Sequence, residues 1–324
     1  MRDGQGRQID YLRISVTDRC NLRCVYCMPA QGVEWIPHDQ ILSYEEILRL
    51  CRVFAGLGLH RVRLTGGEPL ARRGLDGLIR GLKGIPTIDH VAVTTNGTLL
   101  APQLPALLEA GLDAVNISLD TLDRAQFAAI ARRDALADAL AGLEAALAAP
   151  GLMVKINCVP TADNSDQWVP LAQLAREHHL AVRFIELMPI GLGGDMPGVA
   201  EADLRRRLEE ALGPLAPCEA DPGGGPCRYF RPAGFVGKIG FISAMTHQFC
   251  STCNRVRLTA TGFLKTCLQY DKGVQLKPLL AAGGDDEALR QAIVGAILEK
   301  PAAHHFGQEG HERDERRNMN QIGG

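Results

Sequence analysis

Six short runs in the first 190 residues alternate apolar and polar positions with a period of two, and amphipathic stretches separate them. The runs cover residues 10–17, 61–66, 90–96, 114–120, 152–160 and 181–189. A period of two sends successive side chains to opposite faces of a strand. The stretch 43–57 has helical spacing instead, and Ser43 followed by Glu46 reads as a capping box at its start. Six strand–helix repeats predict an α/β protein with a parallel sheet and helices outside it. Right-handed crossovers curl such a sheet into a barrel or part of one.

The two faces of these strands differ sharply. One carries Leu12, Ile14, Val16, Val62, Leu64, Val91, Val93, Val115, Ile117, Leu119, Val154 and Ile156. The other carries Arg13, Ser15, Thr17, Arg63, Thr65, Thr94, Asn96, Asn116, Ser118, Asp120, Lys155, Asn157 and Glu186. A closed barrel of the triosephosphate isomerase type fills its interior with branched apolar side chains. Here the inward face is polar and includes the cations Arg13, Arg63 and Lys155. Unpaired buried charge is costly, so the interior must be wet or filled by a large polar, anionic ligand. An antiparallel sheet with one solvated face would give the same alternation, but the regular intervening helices count against it.

After residue 190 the texture changes. Gly191, Gly193, Gly194, Pro197 and Gly198, a short helix at 201–212 and the run 221–226 read as connection and turn. A smaller region follows, with three cysteines, a helix at 285–299 and a charged tail. The expected division is 1–225 and 226–324.

Composition narrows the class. The chain has 324 residues, 46% hydrophobic and 22% charged, as ordinary globular proteins have. A net charge of −2 gives no reason to expect bulk nucleic acid or a membrane surface as partner. The first ten residues have no apolar core of a signal peptide, and no run is long enough to span a bilayer. A cytoplasmic protein is expected, whose ten cysteines hold metal or do chemistry rather than form disulfides.

Cys20, Cys24 and Cys27 follow the first strand in a C-x3-C-x2-C spacing, at the end where barrel enzymes keep their sites. Three such thiolates can hold a cubane cluster and leave one iron open, or form a zinc site. Thr65-Gly66-Gly67-Glu68-Pro69 ends the second strand. Its glycines admit a ligand close to the main chain and its carboxylate suits an ammonium group, although a plain turn reads the same way. Cys250, Cys253 and Cys267 form a second triplet, for which spacing alone favours zinc with His247 as fourth ligand. Asn254-Arg255-Val256-Arg257 follows directly, and on a strand Arg255 and Arg257 share a face suited to phosphate oxygens.

The first triplet, with Tyr26 inside it, resembles the signature of the radical S-adenosylmethionine (SAM) superfamily. The wider set is D-Y-L-R-I-S-V-T-D-R-C-N-L-R-C-V-Y-C-M-P after Gly6-Arg7, then R-L-T-G-G-E-P-L, T-T-N-G, N-I-S-L-D, R-F-I-E-L-M-P, I-G-F-I-S, C-S-T-C-N-R-V-R-L-T and the terminal Gly323-Gly324. Nearly end to end it resembles the GTP 3′,8-cyclase family. The resemblance implies a partial (β/α)6 barrel with a smaller C-terminal iron–sulfur domain closing its mouth. It implies two 4Fe–4S clusters and SAM, whose reductive cleavage gives a 5′-deoxyadenosyl radical. That radical takes the ribose 3′-hydrogen of GTP, and C3′ then bonds to C8 of guanine. After reduction the product is (8S)-3′,8-cyclo-7,8-dihydro-GTP, at the first step of molybdenum-cofactor biosynthesis. Carried over, the resemblance gives Cys20, Cys24 and Cys27 to the SAM cluster and Cys250, Cys253 and Cys267 to the second. It gives Tyr26, Gly67, Ser118 and Met188 to SAM, and Arg13, Arg63, Thr94, Lys155, Arg255, Val256 and Arg257 to GTP. No side chain is assigned as general acid or base. The implied partners are an external one-electron reductant, with room for a homodimer and for the next enzyme of cyclic pyranopterin synthesis.

This chain departs from the family at Ala244-Met245-Thr246-His247-Gln248, where many relatives carry a proline. Two rivals remain open: a radical SAM enzyme acting on a peptide, and a zinc-stabilised nucleic-acid-binding protein. Cys51, Cys158, Cys218 and Cys227 read as packing, the pairs His178-His179 and His304-His305 as surface or core, and 311–317 as a solvated tail. Gly323-Gly324 is expected to enter the active site.

Overall fold

A computed structural model describes residues 1–220, 224–281, 285–308, 315 and 317–323. Six strands run parallel in sequence order: β1 (Tyr11–Ser15), β2 (Arg61–Thr65), β3 (His90–Thr95), β4 (Ala114–Ser118), β5 (Met153–Cys158) and β6 (Leu180–Ile185). The crossovers are α1 (Tyr44–Gly56), α2 (Leu75–Lys83), α3 (Leu100–Glu109), the pair α4 (Arg124–Ala131) and α5 (Leu136–Ala148), and α6 (Trp168–Glu177). Helix α1 begins at the expected box, where the Glu46 N–H donates to Ser43 Oγ and the Ser43 N–H to Glu46 Oε2. The predicted strands overrun the observed ones mainly at their C-terminal ends. There the chain stays extended beyond the ladder, with Val16 N–H still donating to Thr65 O and Leu119 N–H to Asn157 O. These overhangs form the mouth.

The C-terminal region contributes α7 (Glu201–Leu212), β7 (Ala216–Cys218), β8 (Arg228–Arg231), β9 (Lys238–Ile242), β10 (Arg255–Leu258), β11 (Phe263–Lys265), β12 (Gly273–Gln275), α8 (Lys277–Ala281), α9 (Asp286–Leu298) and α10 (Met319–Ile322). Strand β9 pairs parallel with β6, and β10 parallel with β1. One sheet results, ordered β12-β11-β10-β1-β2-β3-β4-β5-β6-β9-β8-β7. Residues beyond 226 therefore widen the barrel wall at both edges.

The apolar face predicted from periodicity packs under the helices: Leu12, Ile14, Val62, Leu64, Val91, Val93, Val115, Ile117, Val154 and Ile156 are all buried in one core. The polar face turns inward. Side chains of β1, β2, β3, β6 and β10 line a single cavity, which a flat sheet does not allow. Strand β6 extends the inward set: Arg183 lies in phase with Asn157 of β5, and Glu186, just past the end of the strand, lines the same cavity. Apolar Ala181 and Ile185 at the other inward positions had hidden that phase. No helix among the described residues is long and apolar enough to cross a membrane.

Candidate active site

The loop after β1 carries the first triplet. Its main chain lies against the glycines that end β2: Gly67 N–H donates to Thr17 O at 2.8 Å and Glu68 N–H to Arg19 O at 2.7 Å. A Cβ on Gly67 would stand 2.3 Å from Arg19 O, and one on Gly66, at φ +153°, 2.4 Å from Thr17 O. The sequence suggested that a ligand needs this closeness. The cysteine loop itself needs it, although Gly67 also lines the cavity. Glu68 stands behind, fully buried, accepting from Leu70 N–H, Thr95 Oγ1 and Asn96 N–H at 3.0, 2.7 and 2.7 Å. Burial pushes its carboxyl up to about 7 against those donors. Tyr26 braces the loop from the other side, its hydroxyl donating to Asp120 Oδ2 at 2.6 Å.

Cys20, Cys24 and Cys27 face the cavity. Burial pushes the Cys20 thiol up to about 11, that of Cys27 to about 12, and that of Cys24 well above the usual range, where its two neighbours add to the effect. Bound metal reverses this preference, since a coordinating thiol gives up its proton. Cys20 Sγ already receives the Leu22 N–H at 3.4 Å and the Asn96 amide at 3.9 Å.

Deeper in, β10, β1 and β2 place Arg257, Arg13 and Arg63 in one register. Burial depresses all three guanidinium pKa values, and neighbouring arginines add to it: Arg257 falls to about 10, and Arg13 lies well below the arginine range. Arg255 joins them with its ring partner Phe249 at 5.2 Å. Across the barrel, Arg183 donates to Asn116 Oδ1 and Asn157 Oδ1 at 2.6 and 2.5 Å. The Nε atoms of Arg63, Arg183, Arg255 and Arg257 and the hydroxyls of Tyr11 and Thr94 are buried without a hydrogen-bond partner among the described residues. Each such group costs about 1–3 kcal/mol unless something polar meets it. A polyanion meets both conditions, since it supplies acceptors and opposes the clustered positive charge.

The second triplet lies on the same cavity, in the segments flanking β10 and β11. Burial raises the Cys253 thiol, but the charges of Arg255 and Lys300, the Arg255 N–H and the Arg257 charge outweigh it and bring it to about 6. Cys250 Sγ receives the His304 N–H at 3.4 Å. His247, the expected fourth zinc ligand, is 57% exposed in its side chain and stands 3.5 Å from Glu201 Oε2, away from the cavity wall. Three thiols per set, with N–H donors on their sulfurs, fit iron–sulfur clusters.

Tyr26, Gly67, Ser118, Met188, Arg13, Arg63, Thr94, Arg255, Arg257 and all six cysteines line this cavity. Two predicted residues stand off it. Lys155 is buried beside Asn116 and Ala181, one inward layer below Asn157. The Val256 side chain is buried on the helix-facing side opposite Leu12, because it lies out of phase with the flanking arginines. Several wall residues escaped the sequence reading: Tyr11, Arg183, Cys227, Lys300, His304, Met319 and Asn320. Tyr11 and Arg183 follow from the period-two rule applied with the right phase, whereas the others carry no local signal. Of the tail expected to be solvated, Glu315 is buried against Lys265; residues 311–314 and 316 lie outside the described set, as does Gly324. Gly323 packs on Ser15 and Thr65 of the polar face.

Residues 14–175 match the Radical SAM superfamily and residues 180–306 match Molybdenum Cofactor Synthesis C. The chain is 47% identical to the GTP 3′,8-cyclase of Pelotomaculum thermopropionicum over 100% of both sequences. This chain belongs to the GTP 3′,8-cyclase family. Other cyclases of the family agree, those of Moorella thermoacetica at 45% and Clostridium perfringens at 44% identity, again over 100% of each chain. Among solved structures, Streptococcus suis SuiB bound to S-adenosylmethionine superposes with a TM-score of 0.56 at 16% identity, covering 90% of this chain and 66% of that one. At that identity the likeness shows a shared fold alone.

Proposed function

We propose that this chain converts GTP into (8S)-3′,8-cyclo-7,8-dihydro-GTP by SAM-dependent radical cyclisation, the first step of molybdenum-cofactor biosynthesis. The observation that carries this reading is the cationic layer Arg257–Arg13–Arg63, buried in a cavity that two cysteine triplets share.

Residues 1–225 hold SAM and its cluster, and 226–324 hold the second cluster and complete the GTP site. Cys20, Cys24 and Cys27 bind a 4Fe–4S cluster, with Tyr26, Gly67, Ser118 and Met188 around SAM. When bound, that pair supplies a 5′-deoxyadenosyl radical able to abstract hydrogen. Arg13, Arg63, Arg255 and Arg257 hold the triphosphate, Thr94 offers its buried hydroxyl, and Lys155 adds positive charge from the layer beneath. The main chain of Val256 keeps the two flanking guanidiniums on one face. Cys250, Cys253 and Cys267 bind a second 4Fe–4S cluster near the base. The protein's contribution is orientation, which is worth several kcal/mol of a barrier, and exclusion of water. The reading places the chain in the cytoplasm with an external one-electron reductant, and leaves room for a homodimer and for the next enzyme of cyclic pyranopterin synthesis to receive the product.

The test uses full-length protein prepared anaerobically, with SAM, GTP and a strong one-electron reductant. Mass spectrometry should find the cyclised nucleotide, and metal analysis should find iron and sulfide for two clusters. Cys267→Ser should lose about half the iron, still release 5′-deoxyadenosine, and fail to convert GTP. Zinc near one equivalent in the wild type, with iron for a single cluster, would overturn the assignment of the second triplet. Unchanged GTP beside accumulating 5′-deoxyadenosine would overturn the substrate.

A further inference from the structure

We infer that Arg7 is the positioning residue of the second cysteine triplet. Its guanidinium ties the Cys250 loop to the segment 300–302, and so fixes the His304 N–H that faces the Cys250 sulfur.

The residue sits in a tight N-terminal hairpin. Asp3 N–H donates to Arg7 O and Gly6 N–H to Asp3 O, both at 3.0 Å, with Gly6 turning the chain at φ +78°. Asp3 and Arg7 are 5% and 8% exposed. Arg7 Nε donates to Asp3 Oδ2 at 2.6 Å, and Asp3 Oδ1 accepts the Gln5 and Arg7 N–H groups at 2.9 Å each. One Arg7 terminal nitrogen donates to Cys250 O at 2.8 Å and Ala302 O at 2.9 Å. The other donates to Pro301 O at 2.7 Å and Lys300 O at 3.4 Å. A guanidinium carries five N–H donors in a fixed plane, and here every one has an acceptor.

The acceptors are informative. Apart from Asp3, all are loop carbonyls beside the second triplet, and Cys250 lies 243 positions along the chain. Lys300, held by its own carbonyl, reaches back with Nζ to Arg255 O at 3.1 Å and to Thr266 O, next to Cys267. Two residues past Ala302, His304 N–H meets Cys250 Sγ at 3.4 Å. One planar cation thus sets the spacing of two segments between which a thiolate and its N–H donor must meet. Hydrogen bonds to cluster sulfurs help set reduction potential, so loosening this hub should register at the second centre and leave the first alone. Lysine keeps the charge but has no fork to hold four carbonyls.

The inference rests on the second triplet holding a metal centre. In full-length protein prepared anaerobically, iron and zinc content and the midpoint potential of each cluster are compared for wild type, Arg7→Lys and Asp3→Asn. Arg7→Lys should lose about half its iron, or keep it with a lowered potential at the second cluster only. Asp3→Asn, which disturbs only the aim of the guanidinium, should shift that potential less and in the same direction, and it keeps the inference testable if Arg7→Lys fails to fold. Unchanged metal content and potentials in both variants would overturn the inference, and so would parallel loss at both centres. Zinc in the wild-type second site would instead overturn the cluster assignment; Arg7 would still be tested, by loss of that zinc in Arg7→Lys.

Discussion

Arg13 and Arg257 stand opposite one another on neighbouring parallel strands, and both guanidiniums open into the same buried cavity. Burial lowers the Arg13 pKa and the charge of Arg257 lowers it further, an arrangement that folding by itself does not favour. A ligand that brings phosphate oxygens reverses the sign of the interaction.

Replacing Arg257 with glutamine should therefore act in opposite directions on stability and binding. The nucleotide-free chain should melt at a higher temperature, because a buried like charge is gone. GTP affinity should fall by about 1.5–3 kcal/mol, the range for a hydrogen bond to a charged group. Differential scanning fluorimetry and calorimetric titration read the two effects, and a lower melting temperature with unchanged GTP affinity would make Arg257 a structural residue.

Glu68 gives a pH signature. Its buried carboxyl is raised from 4.5 to about 7 in the fold. Between those values the folded chain keeps a proton that the unfolded chain has released, so this group favours folding at low pH. The contribution is complete below about 4.5 and lost as pH rises through about 7. Denaturation of the iron-free, reduced chain should show the stability advantage of wild type over Glu68→Gln shrinking across that interval and levelling above it. Parallel curves for the two proteins would contradict the assignment.

Cys24→Ser should abolish reductive SAM cleavage, because the first cluster has only three protein ligands. Chromatography for 5′-deoxyadenosine decides the matter, and release at a near wild-type rate would mean that the triplet holds something else. Iron at the second triplet should be retained.

The tail can be tested with one methyl group. A Cβ on Gly323, held at φ +76°, would stand 3.1 Å from both Ser15 Cβ and Thr65 Cγ2. Gly323→Ala should unseat α10 and impair cyclisation, while iron content stays that of two clusters. Asn320 anchors this helix through its amide to Asp18 O at 3.0 Å, so Asn320→Ala should have a milder effect of the same kind. Full activity of both variants would remove the tail from the site.

Much of the wall was legible in consecutive residues. The period of two separates Leu12, Ile14, Val62 and Leu64 from Arg13 and Arg63 whatever the sheet does next, because alternation is a property of the strand itself. The box of Ser43 and Glu46 likewise starts α1 from four adjacent residues. The cysteine spacings and the alternation of Arg255 with Arg257 could be read in the same way. Strand β6 shows the limit of local reading: with apolar Ala181 and Ile185 facing inward, only pairing with β5 reveals that Arg183 shares the cavity.

The rest was decided by contacts that no stretch of sequence contains. Tyr11 pairs with Arg255, and Arg13 with Arg257, across more than two-thirds of the chain. That pairing turns two separate basic motifs into one layer of positive charge. The same holds for Arg7, whose donors found carbonyls at Cys250 and at 300–302, and for His304 at the Cys250 sulfur. Side-chain alternation, capping and ligand spacing are set by neighbours along the backbone, so the sequence determined the strands, their faces and the two thiol sets. Which charges meet, which sulfurs receive an N–H and which glycines must lack a Cβ depend on packing between distant segments, and these the tertiary structure alone decided.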